Sequence, residues 1–354
     1  MPTTPPSFGA QEYWDQRFRS NPNPFEWLEA PTSLDPYIVD ALKASDDTEP
    51  QLLHIGCGTS LLSYHLRAHV RNPEHIHNVD YSKVAIQAGK KREKDIFNAN
   101  AQEPADSVRN HDTIYGGTGT KANTETSGAF KRNSSLPDTV GVQSEAYMKW
   151  SSANLLDYKS LLGVCQPSKY SLVIDKSTSD SIACSDDLYV PLPYHITTSS
   201  KRLSGIALAE SSEPIHPLHI MAIHLALIVK PRARWISLSY SADRYPFLHD
   251  AWSHHRPLTV EQTATSTLGS NSISREGSER VNMTLDDDLD SIPRNMITSG
   301  LFPNPSALWK LIGKYSVEAP MPSEASGDDG VHRPKVMHWV YILERTEVPL
   351  LVRN

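Results

Sequence analysis

The 354-residue sequence has few cysteines, no long hydrophobic run and no excess of positive charge. Its three cysteines, Cys57, Cys165 and Cys184, show no CxxC spacing, and a sparse, odd set argues against a disulfide framework and for a reducing compartment. No apolar run approaches the ~20 residues that a transmembrane helix needs. The first residues lack the basic and apolar regions of a secretory signal. We therefore expect a cytoplasmic protein with no membrane partner.

The charge and composition restrict the partners and the packing. A formal net charge of −7 gives no general attraction to phosphate backbones, so we expect no nucleic-acid partner. The hydrophobic fraction of 38% is low for a fully packed domain, and the 26 prolines interrupt regular structure. We expect one domain over residues 1–354. Three polar stretches without apolar periodicity, at 98–144, 263–299 and 320–334, predict disordered insertions.

Predicted strands and helices alternate between these insertions, which is typical of an α/β fold. We expect a doubly wound, mostly parallel seven-stranded sheet. Two C-terminal strands with no helix between them predict an antiparallel edge. Hydrophobic periodicity predicts helices over residues 34–42, 61–69, 83–97 and 219–228, and strands over 52–55, 76–79, 146–150, 171–174, 234–240, 309–317 and 336–343.

A glycine-rich turn, Gly56-Cys57-Gly58, lies between the first predicted strand and a helix. Glycine lets the backbone approach a ligand closely, and the following helix start offers free N–H groups. Leu61 stands where a dinucleotide fingerprint has its third glycine, which argues against a bound pyrophosphate. Taken alone, the turn is either a ligand cradle or a tight structural turn.

Asp80 ends the second predicted strand, a position from which a carboxylate can accept both hydroxyls of a ribose. The alternative is that Asp80 caps the helix that starts near Lys83. Ser82 can fill that capping role instead, which leaves Asp80 for a ligand. The combination of a glycine turn, a helix, a strand and a terminal acidic residue indicates a ligand site more specifically than either glycine alone.

Four blocks of the sequence resemble the seven-strand, class I S-adenosylmethionine-dependent methyltransferases, in particular the lysine methyltransferases of translation elongation factor 1-alpha. Residues 12–18, EYWDQRF, are similar to the family's EYWDxRY, and residues 24–27, PFEW, to its PFDW. Residues 53–62, LHIGCGTSLL, resemble LVLGCGNSxL, and residues 173–180, VIDKSTSD, are a weaker match to VIDKGTLD. The resemblance implies a Rossmann-like methyltransferase fold and S-adenosyl-L-methionine as cofactor.

The resemblance also implies a binding pocket. An N-terminal segment, residues 11–30, would close over the cofactor through Trp14, Phe18 and Trp27. Gly56 and Gly58 would pass under the methionine part, Asp80 would hold the ribose and Tyr81 would pack on the adenine. The remaining implied contacts are Asn154 and Leu155 at the adenine and Lys176 at the mouth where the methyl group is transferred.

Two expectations concern catalysis and metal binding. Asp175 is a weak candidate for the group that assists deprotonation of an acceptor amine, and its alternative role is a cap at the strand end. The histidines His216, His219 and His224 have no cysteine or carboxylate cluster beside them, so we expect no metal site.

We expect a protein lysine as the acceptor of the methyl group and keep two alternatives. The four blocks favour a lysine amine of a protein such as elongation factor 1-alpha. Ser177 and Ser179 stand where the family has glycine and leucine, and these replacements beside the substrate channel favour a small-molecule acceptor. A third possibility is a non-catalytic scaffold that has kept the fold.

Overall fold

A seven-stranded β-sheet lies at the centre of the computed structural model, which describes residues 6–99, 146–199, 208–248, 292–319 and 335–353. Each strand contains apolar residues that the sheet buries. The strands are β1 (Leu52–Ile55), β2 (Ile76–Asp80), β3 (Lys149–Ser152), β4 (Tyr170–Lys176), β5 (Val229–Ser239), β6 (Trp309–Glu318) and β7 (Met337–Arg345).

The strand order is β3-β2-β1-β4-β5-β7-β6. Strands β1 to β5 are parallel to one another, whereas β7 runs antiparallel to both β5 and β6. The predicted fold class is confirmed: the sheet is mostly parallel, with an antiparallel C-terminal edge, as in the seven-strand methyltransferases. Because the carboxyl ends of β1, β2 and β4 meet where the chain reverses direction across the sheet, a ligand crevice is expected there.

Helices cover both faces of the sheet. Leu53 and Ile55 of β1 pack on the face that carries the fully buried helix Pro217–Ile228, whereas Leu52 packs on the opposite face, with Ile38. This alternation follows from the two-residue period of a strand. The α-helices are α1 (Gln11–Ser20), α2 (Asp35–Lys43), α3 (Leu62–His65), α4 (Lys83–Ala99), α5 (Tyr158–Leu162), α6 (Thr178–Ile182), α7 (Pro217–Ile228), α8 (Arg294–Thr298) and α9 (Pro305–Leu308).

Short elements connect these helices and strands. Two pairs of two-residue strands lie outside the main sheet, and several single turns of 3-10 helix interrupt the loops. The two-residue strands are Pro191–Leu192 with Ala209–Glu210 and Ile196–Thr197 with Leu351–Val352; the 3-10 turns are Pro31–Leu34, Leu66–His69, Pro73–His75 and Pro246–Leu248.

The structure corrects two boundaries among the predicted insertions. Residues 98 and 99 belong to α4, and residues 292–299 form α8 and its flanking turns because Ile292 and Met296 are buried. The rest of the predicted insertions at 98–144 and 263–299, and all of 320–334, lie outside the described residues. Within the described ranges, no helix is long and apolar enough to cross a membrane.

Candidate cofactor-binding site

The glycine turn follows β1 and adopts a backbone that favours glycine. Gly56 and Gly58 have φ angles of +54° and +50°, in the left-handed region that side chains with a Cβ rarely adopt. A Cβ on Gly56 would lie 2.1 Å from Thr178 Oγ1, whereas one on Gly58 would lie 3.2 Å from Cζ of Phe18. Gly56 therefore makes room for α6, and Gly58 faces the aromatic wall of the site.

Asp80 connects the end of β2 to this turn. Its Oδ2 accepts a hydrogen bond from Gly58 N at 2.8 Å, and its Oδ1 accepts one from Ser82 N at 2.7 Å. Ser82 Oγ accepts from Ala85 N at 3.3 Å in the first turn of α4, so Ser82 takes the capping role. Burial raises the pKa of Asp80 to about 6, although both backbone bonds oppose this rise.

Aromatic side chains of the N-terminal segment lie over the glycine turn. Trp14 and Phe18, one helical turn apart on α1, stack with ring centroids 5.7 Å apart, and Trp27 packs edge-on against Trp14 at 6.3 Å. Phe8 contacts both tryptophans and accepts a hydrogen bond on its carbonyl from Trp14 Nε1 at 2.7 Å. Side chains of the segment 11–30 therefore form one wall of the site.

Glu26 anchors this segment to the sheet. Its carboxylate accepts hydrogen bonds from Ser60 Oγ at 2.8 Å and Leu61 N at 2.5 Å, at the start of α3, and it forms an ion pair with Lys176 Nζ. Lys176 Nζ also donates to the carbonyl of Glu29 at 2.9 Å. Desolvation lowers the pKa of Lys176, and Glu26 opposes that effect. One carboxylate thus joins the N-terminal segment, the glycine turn and β4.

These elements enclose a cavity that is partly open to solvent. All ten predicted cofactor-binding residues line it: Trp14, Phe18, Trp27, Gly56, Gly58, Asp80, Tyr81, Asn154, Leu155 and Lys176. Sequence reasoning missed other lining residues, among them Phe8, Gly9, Phe25, Leu156, Thr178, Ser181, Ile182 and Ser185.

Two lining residues carry contacts that the sequence did not predict. Tyr81 donates its hydroxyl proton to the carbonyl of Gly9 at 2.8 Å, so it holds the N-terminal segment as well as facing the cavity. Asn154 is exposed, and its Oδ1 accepts a hydrogen bond from Leu156 N at 2.9 Å. The side chain that the resemblance places at the adenine therefore also stabilises a local turn.

Asp175 does not line the cavity, which corrects its candidacy as a catalytic group. Its carboxylate is fully buried and accepts bonds from Thr178 N at 2.9 Å, Ser237 Oγ at 3.1 Å and Trp235 Nε1 at 3.3 Å. Burial raises its pKa, whereas the bonds from Ser179 and Ser237 oppose the rise. Its alternative role, as the cap between β4 and α6, is the one that the contacts support.

Ser177 occupies the position where the resembled family has glycine. Its φ of +65° is left-handed, which explains why glycine suits this place. Its hydroxyl is buried without a hydrogen-bond partner among the described residues, and its side chain lines the cavity. An orphan hydroxyl in a cavity wall is a candidate contact for a bound ligand.

The three histidines considered as metal ligands have different structural roles. His216 Nδ1 accepts from Leu218 N at 3.3 Å at the start of α7, and His224 bonds Tyr194 at 2.7 Å and the Leu155 carbonyl at 2.7 Å. His219 is buried on the same helix. These contacts give the three histidines no common ligand position.

Comparisons with known proteins give one related sequence and several similar folds. The chain is 28% identical over 240 residues to Methyltransferase srdJ of Neurospora crassa, covering 68% of this chain and 70% of that protein. No protein-family model matches the chain.

Two solved structures are similar at low identity. Magnesium protoporphyrin IX methyltransferase of Synechocystis, with bound S-adenosylmethionine, has 8% identity and a TM-score of 0.40 over 98% of this chain and 100% of that chain. An S-adenosylmethionine-dependent methyltransferase of Methanosarcina mazei has 11% identity and a TM-score of 0.38 over 88% and 97%. At these scores, the strand order given above carries the fold assignment.

Proposed function

We propose that this chain is an S-adenosylmethionine-dependent methyltransferase whose acceptor is an uncharged small molecule. The observation that carries the first part is the juxtaposition, at the carboxyl ends of β1 and β2, of a left-handed glycine turn with a buried terminal carboxylate, Asp80. The strand order and the relationship to a curated methyltransferase support the same activity.

The cavity residues fit this cofactor chemically. Each Asp80 oxygen has accepted one backbone N–H and keeps a second lone-pair direction for a ribose hydroxyl. Tyr81 and Leu155 offer apolar surface for an adenine ring, and Gly58 leaves backbone exposed toward the methionine part. The cofactor, when bound, supplies a methyl group on a sulfonium, which a neutral nucleophile can attack in line.

The chain's own contribution to the reaction is to position the reactants and exclude water. Orientation can supply a large part of such a rate enhancement. Trp14, Phe18 and Trp27 form a wall that shields the reacting atoms from solvent, and the Glu26–Lys176 pair fixes that wall to β4. The orphan Ser177 hydroxyl would hold a polar atom of the acceptor.

The charges of the cavity favour an uncharged acceptor over a lysine ammonium. Among the described residues that line it, Asp80 supplies the sole carboxylate, and that carboxylate is assigned to the cofactor. Asp175 is buried beneath α6, and Glu26 is committed to Lys176. A lysine acceptor must lose a proton before it attacks, and these described groups leave no free carboxylate to favour that step.

A lysine of a protein such as elongation factor 1-alpha is the second candidate. The four resembling blocks favour it, and the aromatic wall of Phe8, Trp14, Phe18, Phe25 and Trp27 offers ring faces that attract a cation.

Transfer of a labelled methyl group distinguishes these candidates. The chain is incubated with methyl-labelled cofactor and a cell extract, which is then separated into protein and low-mass fractions. We expect label in the low-mass fraction, strongly reduced for Asp80→Ala and kept for the exposed control Asp187→Ala. Label on protein lysine would support the second candidate. Binding of the cofactor without transfer to either fraction would favour the non-catalytic scaffold.

A further inference from the structure

Three potential metal ligands converge at the start of α2, the end of α3 and the end of the 3-10 turn Leu66–His69. His65 Nε2 lies 2.6 Å and His69 Nε2 lies 2.9 Å from the same oxygen, Oδ1 of Asp35. All three ligand atoms lie within 4.8 Å of one another. Two imidazole nitrogens therefore point at one carboxylate oxygen from the same side.

The chain geometry produces this convergence. His65 ends α3 and His69 ends the 3-10 turn Leu66–His69, and a spacing of four residues places the two rings on one face. Their ring centroids are 5.5 Å apart. Asp35 begins α2, which packs against the same cluster of apolar side chains as α3. The backbone therefore holds the three ligands in place before any ion arrives.

We propose that Asp35, His65 and His69 bind a zinc ion. Two imidazoles and one carboxylate are a ligand set that zinc accepts, with a fourth position left for water. Metal–ligand bonds of about 2.0–2.2 Å require ligand atoms roughly 3.4 Å apart, so small side-chain movements suffice. Each imidazole would carry its proton on Nδ1 and give the Nε2 lone pair to the ion.

The burial of the three groups suits a bound ion. The side chains of His65 and His69 are 9% and 11% exposed, whereas that of Asp35 is 33% exposed. The rings are thus shielded, and the carboxylate side leaves a path for the ion and a water ligand. Zinc at this place would connect the start of α2 to the end of α3, whose own start is held by Glu26.

Metal binding is tested on the full chain without a polyhistidine tag, after dialysis against a chelator. Calorimetry with zinc chloride is expected to give one site per chain. A 100-fold excess over the dissociation constant should raise Tm by roughly 5 °C. Cobalt(II) should give the visible absorption of a four-coordinate site. His69→Gln and Asp35→Asn should each lose the cobalt spectrum and weaken zinc binding at least tenfold, whereas the nearby control His75→Gln keeps both.

Two results would overturn the proposal. The first is zinc binding of equal strength in the wild type, His69→Gln and Asp35→Asn. The second is an absence of zinc binding in a wild-type chain that unfolds cooperatively, which would leave the two imidazole–carboxylate hydrogen bonds as the whole interaction. The cobalt spectrum reports the ligands directly, so a variant that is merely less stable is still informative.

Discussion

Two glycines with a left-handed backbone allow the energetic cost of backbone strain to be distinguished from the energetic cost of a steric clash. Gly56 and Gly300 have φ angles of +54° and +70°. A Cβ on Gly56 would meet Thr178 at 2.1 Å, whereas one on Gly300 would meet nothing within 4 Å. We expect Gly300→Ala to cost about 1 kcal/mol of unfolding free energy and Gly56→Ala about 3 kcal/mol. Urea unfolding measures both, and equal losses would contradict the packing role of Gly56.

Asp80 gives cofactor binding a pH dependence. Its pKa in the folded chain, about 6, lies above the unfolded value of about 3.9. Burying this charge therefore destabilises the chain above pH 6, and the cost disappears as pH falls toward 4. Protonation also removes an acceptor for the ribose, so affinity should fall up to tenfold per pH unit below pH 6.

The matching variant is Asp80→Asn. Calorimetry at pH 5, 6 and 7 should find its cofactor affinity at least tenfold weaker than wild type at pH 7, because hydrogen bonds to a charged group are lost. Its affinity should also change little with pH. Asp187→Asn, at an exposed site, should keep the wild-type profile. An unchanged pH profile in Asp80→Asn would assign the titration to another group.

At the scale of single residues, the sequence motifs predict which residues line the cavity better than they predict the role of each residue. Gly58, Asp80 and Lys176 line the cavity. Their positions are predictable because the ends of strands and the glycine turns depend on local sequence. Asp175 was misplaced because its six neighbouring donors come from α6, β5 and the segment at Tyr245, which are distant or unpredicted. The Asp35–His65–His69 group was missed because Asp35 is 30 residues from His65.

The N-terminal segment is held on the sheet by the ion pair between Glu26 and Lys176. Lys176 is 3% exposed at its side chain and its charge is balanced by Glu26. Glu26→Gln leaves that charge buried and should cost about 3 kcal/mol. Lys176→Met removes the charge and leaves Glu26 with its bonds from Ser60 and Leu61, so it should cost less.

Urea unfolding and cofactor titration of the two variants check this order. Glu74→Gln, on an exposed residue, should behave as wild type. Both Glu26→Gln and Lys176→Met should weaken cofactor binding, because the aromatic wall loses its anchor to β4. A Lys176→Met chain less stable than Glu26→Gln would contradict the account of a buried charge held by one carboxylate.

At the scale of elements, the strands and the long helices were predictable, whereas the short helices α5 and α6 were not. Helices α4 and α7 and strands β5 to β7 fall within a few residues of their predicted bounds, because their apolar patterns are long. Helices α5 and α6 have five residues each and carry little periodicity. Their helical form depends on caps such as Asp157, whose side chain accepts from Lys159 N, and on tertiary packing.

For the whole molecule, buried neutral histidines predict acid sensitivity. Desolvation lowers the pKa of His54 to about 3 and of His77 and His224 to about 4. Their unfolded value is about 6.5. The unfolded chain therefore binds protons between pH 6.5 and 4 that the folded chain does not, and stability falls as pH falls.

The net effect follows from the opposing groups. Asp80 and Asp175 have raised pKa values and change the unfolding free energy in the opposite direction. These two carboxyl groups are outnumbered by the three imidazoles. We expect the unfolding free energy to decrease by about 1 kcal/mol or more per pH unit between pH 6.5 and 5. Urea titrations at several pH values measure this slope, and a stability that rises over that interval would contradict the buried neutral state of the histidines.

The overall topology was predictable because strand–helix alternation fixes a doubly wound sheet, and right-handed crossovers leave few ways to order its strands. The pattern did not contain the ion pair that fixes the N-terminal segment to β4, because Glu26 and Lys176 are 150 residues apart in the chain. The proposed contact with the acceptor, Ser177, has a left-handed backbone that its residue type does not predict.

Calorimetric titration of the chain with S-adenosylhomocysteine, the demethylated cofactor, tests the central claim most directly. The account predicts one binding site per chain, and binding at least tenfold weaker in Asp80→Ala than in Asp187→Ala. A cooperatively folded wild-type chain that shows no binding, or an Asp80→Ala variant that binds as tightly as wild type, would contradict the assignment of the Gly56–Gly58 turn and Asp80 to this cofactor.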